Sequence, residues 1–174
     1  MLPELSEPNF YLLGFMGAGK STVGPLFASR LHTQFVDLDV LIEDSEKATI
    51  RQIFETRGES YFRQKETELL RPLTRLRNTV VALGGGTFVL EVNRAMIRAS
   101  GMSIWLDVPF PLIQKRIQNP LSRPMFRSPQ DMENLFFQRL PYYQTADVRV
   151  GIADETPEEA AEKIFQSIQA VIGR

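Results

Sequence analysis

Gly14-Phe15-Met16-Gly17-Ala18-Gly19-Lys20-Ser21 follows the apolar run Phe10 to Leu13 directly and precedes the amphipathic stretch Val23 to Leu31. A G-x-x-x-x-G-K-S segment between a strand and a helix is the sequence form of a phosphate-binding loop. Glycines at its first and sixth positions let the backbone turn tightly enough to aim N–H groups at one point, and the helix that follows adds the positive end of its dipole. Such a nest holds a polyphosphate, with Gly17, Ala18, Gly19, Lys20, Ser21 and Thr22 as the contacting residues. Lys20 reaches the β- and γ-phosphates as a point charge, and the Ser21 hydroxyl ligates Mg²⁺. A glycine-rich turn that matched by accident would not bring the correct flanks on both sides.

A loop of this kind needs a parallel sheet behind it, and the rest of the chain has the pattern for one. Short apolar runs at Asn9 to Gly14, Gln34 to Leu38, Thr79 to Leu83, Met102 to Val108 and Asp147 to Val150 predict five strands. Helical patterns lie between and after them, at Ser21 to Leu31, Thr49 to Arg57, Tyr61 to Leu76, Val92 to Ala99, Pro111 to Ile117, Met132 to Tyr143 and Pro157 to Ile172. Alternation of this kind predicts an α/β fold with helices on both faces of a parallel sheet and ligands at the carboxyl ends of its strands. Thr156 and Glu159 form a capping box for the last helix, with Pro157 at its first position. Pro25 and Pro72 each predict a kink or a break.

With 174 residues, 43% of them hydrophobic, the chain is long enough for one good core, and a single domain spanning residues 1–174 is expected. The 20 basic and 21 acidic residues leave a formal net charge of -1, which argues against a nucleic-acid or membrane surface as the main partner. The absence of cysteine removes disulfides, zinc-thiolate sites and thiol nucleophiles. Met1 to Pro8 is acidic and has no apolar core, so neither a signal peptide nor a membrane span is expected there, and a cytoplasmic protein is the default.

Several clusters can carry chemistry. Asp37-Leu38-Asp39 ends the second predicted strand, where alternation would point both carboxylates to one side. Asp37 is then placed to support Mg²⁺ through a water and Asp39 to accept hydrogen bonds from substrate hydroxyls; alternatively one or both cap the next helix. Arg63 has Glu66 three residues on, on the same helical face. The pair is either a braced guanidinium suited to a planar carboxylate or a solvated surface bridge. Gly84-Gly85-Gly86 ends the third strand, and three missing side chains mean either a close approach to the backbone or a flexible loop. No Asp stands at the end of that strand, which leaves Asp37 as the metal partner by default. Residues 118–131 hold three prolines with Arg123 and Arg127, as a lid does, although ordinary surface loops share that composition. Arg139, on the helix that follows, is a second candidate ligand for carboxylate or phosphate, or else an exposed helical arginine.

Taken in order, G-x-x-G-A-G-K-S-T-x-G, D-x-D, F-R, the triple glycine, R-P and R-x-P-Y-Y resemble the shikimate kinases over nearly the whole chain. The resemblance implies a small P-loop kinase of the nucleoside-monophosphate-kinase type, with a five-stranded parallel sheet in the order 2-3-1-4-5. A substrate-binding region at about residues 39–76 and a mobile lid at about 118–131 go with it. It also implies ATP-dependent phosphorylation of the 3-hydroxyl of shikimate with Mg²⁺, in the chorismate pathway that leads to aromatic amino acids. Asp39 resembles the aspartate that binds the ring hydroxyls, Arg63 and Arg139 the pair that grips the carboxylate, and Gly85 the backbone contact beneath the ring. Arg123 resembles the lid arginine that closes on the phosphates, Asp37 the aspartate near the metal, and Arg116 and Pro157 the two groups that sandwich the adenine. Lys20, Asp39 and Arg123 are thus the expected catalytic groups.

Four residues depart from the family pattern. Asp154 and Glu155 stand where a basic residue is usual near Pro157, Leu83 precedes the glycines where Thr or Ser is frequent, and Pro25 is unusual in the first helix. His32, the only histidine, is read as a helix-end residue. Phe54 and Phe62 are expected to wall the substrate pocket, and Trp105 to be buried. The competing functions are a small kinase for another hydroxy acid such as gluconate, or for a nucleoside monophosphate, and a nucleotide-binding regulatory module without transfer activity. A monomer is expected.

Overall fold

Strand β1 (Asn9–Leu13) is buried at every residue, and since successive side chains of a strand point to opposite faces, both faces of the sheet are covered there. The computed structural model describes residues 8–117 and 129–173. β1 lies at the centre of a five-stranded sheet with β2 (Gln34–Asp37), β3 (Thr79–Ala82), β4 (Gly101–Asp107) and β5 (Val148–Gly151), in the order β2-β3-β1-β4-β5. All pairings are parallel; Leu12 stands opposite Ala82 on one side and Ile104 on the other. Order and direction are those implied by the resemblance. β3 is also fully buried, whereas the edge strand β5 alternates buried and exposed residues.

Seven helices among the described residues connect and cover the strands: α1 (Lys20–Arg30), α2 (Leu38–Glu46), α3 (Ile50–Leu73), α4 (Glu91–Ser100), α5 (Phe110–Arg116), α6 (Pro129–Tyr143) and α7 (Pro157–Ile172). The predicted strands and helices are found with ends shifted by a few residues. α7 carries the expected capping box, with Glu159 N donating to Thr156 Oγ1 at 3.2 Å and Thr156 N to Glu159 Oε2 at 2.8 Å. A short 3₁₀ turn, Thr87–Val89, follows the triple glycine.

Three features differ from expectation. Helix α2 was not expected: β2 stops at Asp37, whose side chain caps the new helix, so Asp39 belongs to a helix and strand alternation does not set its direction. The predicted break between two helices near residue 58 is present but reduced to one residue, Gly58, at φ 80° and ψ 172° inside α3. That conformation is reserved for glycine, and nothing lies within 4 Å of where a Cβ would stand. α1 runs without a break through Pro25, held from outside because Val23, Gly24, Phe27 and Ala28 are all buried. A Cβ at Gly24 would fall 2.2 Å from the Phe35 ring, so α1 sits against β2 as closely as it does only because position 24 has no side chain. Near Pro72, by contrast, α3 ends one residue later, as expected.

The carboxyl ends of β1, β2 and β3 bring the loop 14–19, Asp37 and Gly84–Gly86 to one edge of the sheet. The α2–α3 pair stands over that edge. A cluster around Glu46 ties the two helices together: its Oε2 accepts from Arg57 and from the Tyr61 hydroxyl at 2.9 Å, and its Oε1 lies 3.3 Å from Lys65 Nζ.

Candidate active site

The phosphate loop leaves the most constrained strand of the sheet. Gly17 and Gly19 take positive φ values of 77° and 95°, and a Cβ at Gly14 would come within 2.8 Å of Leu106 O. Lys20, the first residue of α1, is 9% exposed, and its Nζ donates to Gly14 O at 2.8 Å and Phe15 O at 3.1 Å. The ammonium is therefore held over its own loop, where the helix dipole and the loop amides also favour negative charge.

Ser21 Oγ donates to Asp37 Oδ2 at 2.5 Å, while Asp37 Oδ1 accepts from Asp39 N at 3.0 Å and Val40 N at 3.4 Å. Of the two roles considered for Asp37 the cap is present: one carboxylate oxygen caps α2, and the other accepts from Ser21 at the phosphate loop. Among the described residues no group of three or more His, Cys, Asp or Glu side chains is arranged to hold a metal. A hydroxyl beside one carboxylate still fits Mg²⁺, which keeps several waters and is commonly bound through one or two protein oxygens plus substrate phosphates. β3 ends in Val81 and Ala82, so the acid missing there in sequence is missing from the sheet edge as well.

The arginine pair and the glycines form one construction. Arg63 Nη1 lies 2.6 Å from Glu66 Oε2, and its Nη2 and Nε lie 3.0 and 3.2 Å from Glu59 Oε1. Glu66 is 0% exposed and also accepts from Thr87 Oγ1, which rules out the solvated surface bridge. Burial works against the Arg63 charge, but Glu66 and Glu59 outweigh it and raise its pKa. Arg139, on α6, is 5% exposed, and its Cζ lies 5.8 Å from the centroid of the Phe15 ring. Burial pushes its pKa down, and the charge of Arg63 adds to that. A Cβ at Gly84 would meet Glu66 Oε1 at 2.6 Å and Asp39 Oδ1 at 2.7 Å; at Gly85 it would lie 3.1 Å from Arg139 Nη1; at Gly86 it would meet Arg63 Nη1 at 2.3 Å. The three glycines are thus the floor on which the charged groups rest, and what approaches the backbone so closely is the site's own side chains.

Asp39, Arg63, Glu66, Arg139 and the three glycines line a cavity of about 80 Å³ that Met16 of the phosphate loop also borders. Phe54 and Phe62 wall it as expected, their ring centroids 4.9 Å apart. A wider cleft of about 880 Å³, lined also by Glu59, Ser60 and Gln138, shares Arg63, Gly86 and Arg139 with it, so both guanidinium groups border both spaces. A compact polar floor, two guanidinium groups, and the carboxylates of Asp39 and Glu66, the latter paired with Arg63, suit a small hydroxylated acid beside a phosphate loop.

On the other side of the loop, Arg116 Nη1 donates to Gly17 O at 3.3 Å and its Nη2 to Ala153 O at 3.2 Å. Pro157 stands exposed at the start of α7. Glu155, in a place where the family has a basic residue, turns back on its own surroundings: it accepts from Ala153 N at 2.5 Å and from Lys163. These partners, Lys163 foremost, hold its pKa down to about 2. Arg123 and Arg127, and with them most of the expected lid, lie outside the described residues. Trp105 is 4% exposed, Leu83 is buried, and His32 is an exposed residue just past α1 with φ 53°.

Sequence reasoning missed Glu59, Thr87 and Tyr143. Glu59 stands four residues before Arg63, a spacing as telling as that of Glu66. Thr87 follows the glycines directly, and Tyr143 ends the R-x-P-Y-Y motif. The pattern that defines the family described as shikimate kinase matches residues 16–169. A shikimate kinase of Microcystis aeruginosa is 42% identical over 168 residues, covering 94% of this chain and 88% of that protein. The solved structure of a shikimate kinase from Acinetobacter baumannii in complex with shikimate superimposes with a TM-score of 0.89 at 34% identity, over 97% of this chain and 95% of that one. A gluconokinase from Sinorhizobium meliloti covers 95% of this chain, and 93% of its own, with a TM-score of 0.63 at 15% identity, which is a likeness of fold alone.

Proposed function

The chain belongs to the shikimate kinase family, and on that premise we propose how its residues divide the work. The enzyme transfers the γ-phosphoryl group of ATP to shikimate, giving shikimate 3-phosphate and ADP. The loop amides and Lys20 hold the triphosphate, and Arg116 and Pro157 hold the adenine. Arg63 and Arg139 grip the carboxylate of the acid, the Gly85 backbone lies beneath its ring, and Asp39 accepts hydrogen bonds from its hydroxyls. The single observation that supports this division is the cavity that Met16, Asp39, Arg63, Gly85 and Arg139 share, because two guanidinium groups and an aspartate beside the phosphate loop suit a hydroxylated carboxylic acid.

In the reaction, the 3-hydroxyl oxygen bonds to the γ-phosphorus as the bond to the β–γ bridging oxygen breaks, and the hydroxyl proton leaves to Asp39 or to water. The transition state is loose, so alignment and charge stabilisation count for more than activation of the nucleophile. Asp39 therefore acts chiefly as an orienter, and Lys20 meets the charge that develops on the phosphoryl oxygens. Ser21 and Asp37 would hold Mg²⁺, which supplies charge neutralisation on the phosphates. Arg123 is assigned to the phosphates from the resemblance only. A single functional domain acting as a monomer is part of the proposal. No described helix is long and apolar enough to cross a membrane. A cytoplasmic setting, where ATP is supplied, completes the proposal.

The test is ADP release from MgATP with shikimate, gluconate and AMP offered separately. Turnover with shikimate alone is expected. Turnover with gluconate in its place, or nucleotide binding without turnover of any of the three, would overturn the proposal.

A further inference from the structure

Tyr143 is 1% exposed and lies one helical turn after Arg139 on α6, so both side chains leave the same face of that helix. Its ring packs near Trp105, with centroids 6.3 Å apart. Phenylalanine would serve that packing equally well, and a buried hydroxyl is costly unless it is hydrogen-bonded. Both sides of this hydroxyl are used. It donates to Gly85 O at 2.5 Å and accepts a hydrogen bond from the Arg139 guanidinium. A phenol has one proton, so donation to Gly85 leaves only its lone pairs for Arg139, and the direction of the chain from guanidinium to hydroxyl to carbonyl is fixed. Such a chain strengthens each of its members. Burial pushes the phenol up to about 12, so the proton stays in place throughout the neutral range.

We infer that Tyr143 is a positioning residue for the acid substrate: its hydroxyl sets the Arg139 guanidinium at a fixed height above the Gly85 floor, where a carboxylate is received. The inference rests on the roles proposed above for Arg139 and Gly85. Without the hydroxyl, Arg139 keeps its charge and loses its orientation, while Gly85 O loses a donor. Affinity for the carboxylate falls, and neither the phosphate loop nor the adenine side is touched.

The test is Tyr143→Phe, which keeps the ring. KM for shikimate rises about tenfold, as for one lost hydrogen bond to a charged group, while KM for ATP, kcat and Tm stay close to those of the unaltered protein. Binding of shikimate methyl ester, which has no carboxylate charge to clamp, is the same for variant and parent. An unchanged KM for shikimate would overturn the inference, and so would an equal loss for ester and acid or a parallel rise in the KM for ATP, each the mark of a merely structural tyrosine. Should the variant not fold, the ring resonances of isotope-labelled Tyr143 in the unaltered protein take its place. A shift on adding shikimate and none with the ester supports the inference, and no shift with shikimate overturns it. Failure of the unaltered protein to turn over shikimate is a different result and refutes the proposed function instead.

Discussion

Gly86 carries no side chain because the Arg63 guanidinium occupies the place where one would stand: a Cβ there would lie 2.3 Å from Nη1. The backbone at Gly86, at φ -106° and ψ -10°, is one that alanine adopts freely. Gly86→Ala therefore suits the backbone but displaces the Arg63 guanidinium, which loosens its pairing with the buried Glu66. KM for shikimate is expected to rise at least about tenfold, with KM for ATP unchanged and stability lowered by up to about 3 kcal/mol as Glu66 loses its counter-charge. Steady-state kinetics and thermal melts check this; a variant with unaltered affinity for shikimate would show that Arg63 does not reach the acid.

Arg63→Ala removes half of the proposed clamp and also deprives the buried Glu66 of its counter-charge. Two effects are expected: a rise of about a hundredfold in KM for shikimate, and a loss of about 3 kcal/mol in stability from the carboxylate left behind. Adding Glu66→Gln to the same chain recovers most of the stability and none of the affinity. Denaturant titration and kinetics on the three proteins separate the two effects.

Lys20→Met takes away the ammonium that Gly14 O and Phe15 O hold in place. The side chain sits at the start of α1 and methionine is a good helix former, so the protein still folds. Phosphoryl transfer is expected to fall by about a thousandfold or more in an ADP-release assay.

Asp37→Asn separates the two roles of that residue. Asparagine caps a helix as well as aspartate does, so α2 keeps its start and Tm stays within a few degrees. The charge facing Ser21 is lost, and the Mg²⁺ concentration for half-maximal activity is expected to rise about tenfold. An unchanged Mg²⁺ dependence would remove Asp37 from the metal's surroundings.

Glu155 gives a pH signature. Its pKa in the folded chain, about 2, is below the ordinary value of 4.5, so the stability it contributes is present above pH 4.5 and is lost as pH falls towards 2. Glu155→Gln removes that part of the acid sensitivity. Denaturation measured from pH 5 down to pH 2 is expected to give a flatter curve for the variant than for the parent.

The loop 14–21 and the strands were legible because each is fixed by local pattern, a glycine-and-lysine spacing and runs of apolar residues, whereas the strand order came from the family resemblance. The ends of the elements were less so. Nothing in Leu38 to Glu46 distinguishes a helix from a loop until Asp37 is seen to cap it, one of the two roles its sequence allowed, and it is Asp39 that was misread as strand-borne. The Arg63–Glu66 spacing was visible, but whether such a pair is solvated or buried depends on what packs over it. Here that is Thr87 and the glycine floor, which arrive from another part of the chain. Tyr143 was quoted as part of a motif and given no task, because its partners are a backbone carbonyl 58 residues earlier and a guanidinium whose orientation no pattern encodes.

The single extended glycine inside α3 sets the relation between Phe54, on one side of it, and Phe62 and Arg63 on the other. The two aromatic walls belong to one covalent rod bent once, and that bend brings their rings into contact as one side of the cavity. A residue that lines none of the cavity thus sets how one of its walls stands. Altering it would move that wall while leaving every lining atom chemically the same.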